Sequence, residues 1–350
     1  MFRKEKSIVG LDLGSQVIKA VEITLEGPEP IITGFARVEV PPGGERSEAV
    51  GQIFEKGRFR SRNVVTSVSG QSVVVRYITM VQMSDSELRQ AIRFESDKYL
   101  PFDTDEVVLD CQRLKRKPPA SGDGDDGSSG QMSVVLAACR TSLVEEQMRE
   151  IMGHGLTPVA VDVDVFALAN AWELCGLDET QAGEDEQHAI ALIDVGASRT
   201  SINVLCGSET CFSRELGIGG QDMTQAAARR LGVEAVEAEA IKREAEGREA
   251  EVSRAISPVL EDLTSELSLS LDYVENREGL RVEEVLLSGG AILAPGVVAF
   301  IEQALGRSVR TWNPLEGLRV DADRVDVEEL ESCAPSLAVA IGLASRVRAA

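Results

Sequence analysis

One pattern occurs twice in this chain and constrains it more than any other. An apolar run ends in Asp-x-Gly, a small hydroxyl residue follows, and apolar alternation resumes. The copies are Ile8–Val21 (IVGLDLGSQVIKAV) and Ile190–Asn203 (IALIDVGASRTSIN). Each reads as a β-hairpin with a tight Gly turn and an Asp at the strand end. Two such hairpins about 180 residues apart point to a duplicated domain that grips one ligand between its halves. A third segment, Val285–Gly296 (VLLSGGAILAPG), runs an apolar strand into Gly289-Gly290 and then a helix.

These segments hold the candidate site residues. Asp12 and Asp194 are hard oxygen ligands suited to Mg²⁺, which keeps much of its hydration. A lone turn Asp satisfies its own backbone as readily, and the repetition favours the metal reading. Gly14-Ser15-Gln16 and Gly196-Ala197-Ser198 would present backbone N–H groups to phosphates. Lys19, on the return strand, is either a point charge for a β-phosphate or a surface lysine. Ser288-Gly289-Gly290 is either a flexible turn or a backbone approach to a purine or its α-phosphate. Glu239 and Lys242, three apart on a helix, are either a surface ion pair or the edge of an adenine pocket.

Composition excludes several classes. A length of 350 residues suggests about two domains. A net charge of −22 argues against binding nucleic acid or an anionic membrane through bulk electrostatics. No apolar run approaches the roughly 18 residues of a membrane span. The basic Met1–Lys6 is followed by Asp12 and Gly14 with no small-residue cleavage site, so no signal peptide is expected. Ser345–Ala350 is too short and polar for an amphipathic anchor. The six cysteines form neither a CxxC nor a Cys/His cluster, and reduced, mostly buried thiols of a cytosolic protein are expected.

Along the chain, residues 7–25 and 30–40 read as three strands, 45–58 as a helix, and 64–68 and 72–80 as strands. Ser84 with Glu87 makes a capping box opening a helix at 85–99. Strand-like runs 107–116 and 133–139 flank Pro118–Gly130 (PPASGDGDDGSSG), read as a disordered loop tipping a hairpin. A helix at 143–153, a strand at 159–165 and an Ala-rich helix at 166–175 follow. The acidic stretch 178–187 is the expected domain boundary. Beyond the second hairpin come a strand at 209–214 and helices at 221–231 and 234–276, the latter broken near Gly247 and Pro258. A strand at 285–288 and helices at 296–305 and 335–347 complete an α/β pattern.

Together these segments resemble the five motifs of the actin/hexokinase/DnaK-type ATPase superfamily, in the family's order. Phosphate 1 is Ile8–Val21, phosphate 2 is Ile190–Asn203 and the adenosine motif is Val285–Gly296. Connect 1 is Val161–Ala171 (VDVDVFALANA) and connect 2 is Pro335–Ala344 (PSLAVAIGLA). Within the superfamily the chain resembles the PilM family of type IV pilus assembly proteins, relatives of the division protein FtsA. The segments that carry this are IVGLDLGSQVIKAVEI, Gln90–Leu114 (QAIRFESDKYLPFDTDEVVLDCQRL) and TPVAVDVDVFALANA.

The resemblance implies an α/β, actin-like (ribonuclease H-like) duplicated fold with an FtsA-like 1C insertion. Lobe 1 would span 1–180, with 1A at about 1–82 and 158–180 and 1C at about 83–157. Lobe 2 would span 181–350, with 2A at about 188–215 and 281–330 and 2B at about 216–280, while 331–350 return to lobe 1. It implies ATP and Mg²⁺ as cofactors, with Asp12 and Asp194 flanking the metal. Ser15, Gln16 and Lys19 would touch the β- and γ-phosphates, beside the turn residues Gly14, Gly196, Ala197 and Ser198. Gly219-Gly220 and Gly289-Gly290 would pack around ribose and α-phosphate, and Glu239 and Lys242 would contact adenosine. Asp162 falls where chaperone-type members carry a water-positioning Glu and is the catalytic candidate. The implied partner is the N-terminal cytoplasmic peptide of a PilN-like inner-membrane protein, docked between 1A and 1C beside other pilus components. The chain would thus be an ATP-binding scaffold, with slow or absent ATP hydrolysis compatible with that role, at the cytoplasmic face of the inner membrane, held there through its partner. Rival readings are a small-molecule kinase with Asp162 or Asp164 as base, and a filament-forming FtsA-like protein.

Overall fold

The computed structural model describes residues 6–27, 29–41, 43–116, 130–175, 188–207 and 209–348. Its first half contains β1 (Lys6–Leu13), β2 (Val17–Glu26), β3 (Glu29–Glu39), α1 (Arg46–Gly57), β4 (Asn63–Val68), β5 (Val73–Val81), α2 (Asp85–Glu95), β6 (Val107–Arg113), β7 (Gln131–Arg140), α3 (Thr141–Gly153), β8 (Thr157–Val163) and α4 (Asp164–Leu174). The second contains β9 (His188–Val195), β10 (Thr200–Cys206), β11 (Glu209–Leu216), α5 (Gly220–Leu231), α6 (Ala235–Arg243), α7 (Glu249–Glu278), β12 (Arg281–Ser288), α8 (Val297–Leu305), β13 (Ser308–Thr311), β14 (Arg319–Val320), α9 (Val327–Ser332) and α10 (Ala338–Ala344).

Each hairpin grows into a sheet of its own, and the two sheets share one plan. One sheet has the order β14-β3-β2-β1-β4-β8, the other β11-β10-β9-β12-β13. In each, an antiparallel three-stranded meander ends in the Asp-bearing strand, and two parallel strands continue from it. β14 returns from the second half and pairs with β3.

The Ala-rich helices α4 and α10 lie where the two halves meet. Ala167, Leu168, Trp172 and Leu337–Leu343 share a core with Leu192, Leu286 and Trp312 of the second half. Gly342 packs against the carbonyl of Ala167, and Gly10 of β1 against that of Ala340, each too closely to admit a Cβ. Small residues are therefore required where these backbones cross.

Between β4 and β8 the chain leaves the first sheet. β5, β7 and β6 form a separate three-stranded sheet, and α2 covers it through Leu88 and Ile92 over Val134 and Leu136. The Ser84–Glu87 capping box is present. The β6–β7 hairpin is formed, with Arg113 opposite Val134. α3 then runs back to β8, packing on β6, β7 and β8. The low-complexity run, apart from Gly130, and the acidic stretch 178–187 lie outside the described residues.

Some readings of the sequence need correction. The break near Gly247 exists, but α7 passes unbroken through Pro258. Proline removes the amide that would bond the Arg254 carbonyl; the Ser257 hydroxyl donates to that carbonyl instead, at 3.3 Å. The final helix is α-helical only at its centre, with 3₁₀ turns on either side. The six thiols are not all free: Cys206 and Cys211, in paired strands with a register shift, are joined as a disulfide, Cα atoms 6.0 Å apart. Among the described residues, no helix is long and apolar enough to cross a membrane.

Candidate functional site

The two hairpin turns face each other. Ser15 Oγ of one donates to Ser198 Oγ of the other at 3.2 Å. They border a cavity of about 660 Å³. Of the site residues read from the sequence, all line this cavity except Gly219, Ser288 and Asp162.

Its floor is acidic. Asp12 and Lys19 stand opposite each other across the β1–β2 pair and are bonded at 2.5 Å. Burial works against the Lys19 ammonium, but Asp12 outweighs it and holds the group above its usual value. Asp194 lies opposite Ser288 in the parallel β9–β12 register and accepts its hydroxyl at 2.8 Å. Burial pushes Asp194 up to about 6, against the pull of Lys19 and Ser288. A third carboxyl, Asp164, also faces the cavity. Burial and the charge of Asp12 push it up to about 7, despite hydrogen bonds from Ser67 and Ser69. Three carboxyls thus share one ammonium at the cavity floor. Carboxylate oxygens are the donors a hard divalent cation takes, but among the described residues no three such side chains are gathered into a ready-made metal cluster.

The opposite wall is built by α5 and α6. Lys242 is only 5% exposed. Its ammonium donates to the Gly220 carbonyl (2.9 Å) and Thr224 Oγ1 (2.7 Å) and pairs with Glu239 at 2.7 Å. Burial pulls Lys242 below its usual value, partly offset by Glu239. Burial also opposes the Glu239 carboxylate, but hydrogen bonds from Lys242 and Thr224 outweigh it and keep the group below the usual range. The pair at i, i+3 is therefore a buried part of the wall, not a solvated one.

Gly289 has φ 97°, and a Cβ there would strike the Val195 backbone. Its amide donates to the Pro335 carbonyl at 2.8 Å, tying the adenosine motif to connect 2. Gly219 has another task. The amides of Gly220 and Gln221, at the start of α5, donate to the carbonyls of Gly196 (2.9 Å) and Ala197 (2.7 Å). The helix end thus fastens the second hairpin turn, and Gly219 lies behind it, where a Cβ would meet Ala197.

Asp162 is not brought to the cavity. Its carboxylate accepts from Arg346 Nη2 at 2.5 Å and from Asn170 Nδ2 at 3.1 Å. Two residues on, Asp164 does reach the cavity. On a continuous strand both would share a face, but β8 ends at Val163 and α4 begins at Asp164, so the parity breaks between them. Ser67 and Ser69, at the end of β4, escaped the sequence reading; only their place after a buried strand in VTSVSG signals them.

A family model described as type IV pilus assembly protein PilM matches residues 10–348. The chain belongs to the PilM family of type IV pilus assembly proteins. Among solved structures it is similar to the PilM-PilN type IV pilus biogenesis complex, with a TM-score of 0.82 and 32% identity over 97% of this chain and 98% of that one. It is also similar to the ethanolamine utilization protein EutJ from Carboxydothermus hydrogenoformans, with a TM-score of 0.54 and 16% identity over 99% of this chain and 90% of that one. The latter is a likeness of fold alone. The duplicated α/β architecture is the actin-like fold.

In this PilM-family chain the halves also touch around the cavity rim. Arg199 Nη1 donates to Ser69 Oγ at 3.2 Å, and Glu215 accepts the Gly70 amide at 2.5 Å. At the other side Arg243 pairs with both Glu39 (2.5 Å) and Glu239 (2.8 Å). The halves are thus joined by polar contacts on two sides of the cavity.

Proposed function

We propose that this chain is an ATP-binding, actin-like scaffold of a type IV pilus inner-membrane platform, docking the cytoplasmic N-terminal peptide of a PilN-like membrane protein. The observation that carries the reading is the acidic cavity between the two Asp-Gly turns, in a chain 32% identical to PilM of the PilM-PilN complex over nearly its whole length. Asp12 and Asp194 would hold Mg²⁺ through water. The turn amides around Ser15 and Ser198, with Lys19, would receive the phosphates. Glu239 and Lys242 would border the adenosine, and Gly289 admits the approach of backbone to ligand. When bound, Mg²⁺ would neutralise phosphate charge and pull the two hairpins together. Asp164, not Asp162, is then the group able to hold a proton or orient water in the cavity, and slow hydrolysis is compatible with its role.

The peptide surface follows from exposed apolar residues. β8 is the edge of the six-stranded sheet, and Val159 (49% exposed) and Val161 (37%) stay in solvent on it. Met152 on α3 and Val108 on β6 are also exposed. A bare, apolar edge strand is a liability unless something covers it. An extended peptide adding to β8, with side chains on these residues, satisfies both the edge and the apolar surface. Attachment to the inner membrane then comes through the partner.

The test is calorimetric titration of the protein with a synthetic peptide of the partner's cytoplasmic N terminus. Binding lost in Val161→Asp, with Mg-ATP affinity retained, supports the reading. Unchanged peptide affinity in Val161→Asp removes β8 from the interface.

A further inference from the structure

Gln147 sits where the nucleotide cavity and the wall of the partner groove share one helix. It lies on α3, is 4% exposed, and lines the cavity together with Leu143. Its Nε2 donates to Thr66 Oγ1 at 2.9 Å and to the Ser67 carbonyl at 2.8 Å, both on β4. Thr66 Oγ1 donates in turn to the Leu11 carbonyl at 3.0 Å, one residue before Asp12. The Ser67 hydroxyl bonds Asp164, and the Ser67 backbone pairs with Asp162 on β8. One buried amide therefore reaches the supports of two of the three floor carboxyls.

The same helix faces the other way as well. α3 packs on β6, β7 and β8 and carries the exposed Met152, while β8 carries the exposed Val159 and Val161. Packing alone does not call for an amide here, since burying a polar side chain costs free energy unless its hydrogen bonds are made. Both Nε2 donors of Gln147 are spent on β4, which fixes α3 to the strand that supports the cavity floor.

We propose that Gln147 is a positioning residue that couples nucleotide occupancy of the cavity to the setting of α3, and so to peptide affinity at the β8 groove. The proposal rests on the nucleotide-and-peptide reading above. Cation and phosphates draw β1 and the start of α4 toward the ligand. Thr66 and Ser67 move with them, and the doubly donated amide carries α3 along. Packed interiors switch between arrangements more readily than they deform. Such coupling is reciprocal and is measured as a ratio of affinities.

The experiment measures peptide Kd with and without Mg-ATP in the wild type, Gln147→Leu and Thr66→Val, using the synthetic partner peptide and the full chain. The wild type is expected to show a ratio of at least about fivefold. Gln147→Leu is expected to bind the peptide alone within about threefold of wild type, while the ratio falls below about twofold. Thr66→Val, which removes the middle hydrogen bond, is expected to do the same and decides the matter if Gln147→Leu does not fold. Retention of the wild-type ratio in a folded variant overturns the role of Gln147. A wild-type ratio of one, with both ligands bound, overturns nucleotide coupling itself and this inference with it.

Discussion

Replacing Lys242 with Met tests whether the cavity wall is a buried electrostatic structure. The substitution keeps the length of the side chain but removes three interactions: with the Gly220 carbonyl, with Thr224 Oγ1 and with Glu239. Removing one partner of a fully buried ion pair costs about 3–5 kcal/mol, because the other charge is stranded. Glu239 is not fully stranded: its side chain is 20% exposed and it keeps Arg243 at 2.8 Å. That places the pair's share below this range, at about 2 kcal/mol. The Gly220 carbonyl keeps the Thr224 hydroxyl at 2.9 Å, and the loss of the Lys242 donor to it and to Thr224 Oγ1 adds about 1 kcal/mol. The expected loss is therefore about 3 kcal/mol. Glu239→Gln in the Lys242→Met background should then cost little more, giving a coupling of about 2 kcal/mol in a double-mutant cycle. The assay is urea unfolding followed by far-ultraviolet circular dichroism, with amide exchange in α5 and α6 to localise the effect. A loss under about 1 kcal/mol, or a coupling near zero, would mean that water screens the pair, and would refute the description of this wall.

Two further outcomes follow from the site. In the unliganded protein Asp164 and Asp194 retain protons at pH values where the unfolded chain has lost them, since their values are raised to about 7 and about 6. The folded state binds more protons, so stability falls as pH rises from about 4 through about 7; Asp164→Asn should flatten this slope in urea midpoints taken from about pH 5 to 8, and an unchanged slope counts against it. Gly289→Ala places a Cβ at positive φ against the Val195 backbone; a loss of at least about 2 kcal/mol in the same unfolding assay is expected.

The sequence made the ligand-facing framework legible because its signals are local. Asp12 and Lys19 are seven apart, and a tight Gly turn between them puts the two opposite each other. The Asp194 hairpin repeats that geometry, and the apolar run over 190–195 marks a buried strand. Other features depend on distant chain. Asp162 and Asp164 cannot be told apart without knowing where β8 ends. Lys242 looks like half of a surface pair until α5 folds against α6 and buries it. By resemblance Gly219 would pack around ribose and α-phosphate, but it lies outside the cavity lining, and its neighbours' amides go to carbonyls of residues 196 and 197. Pro258 reads as a helix breaker because the rescue by Ser257 is a single side-chain hydrogen bond. Strands as short as β13 and β14 carry too few residues to show a period at all.

The central claim is that Asp12 and Asp194, brought together from the two hairpins, hold a Mg-nucleotide in the cavity between the halves. Calorimetric titration of Mg-ATP into the wild type, Asp12→Ala, Asp194→Ala and Asp162→Ala tests it most directly. One site per chain is predicted, weakened at least about tenfold in Asp12→Ala and in Asp194→Ala, as loss of a charged ligand group requires, and unchanged in Asp162→Ala. Wild-type affinity in both Asp12→Ala and Asp194→Ala, or no binding to the wild type, would contradict the account.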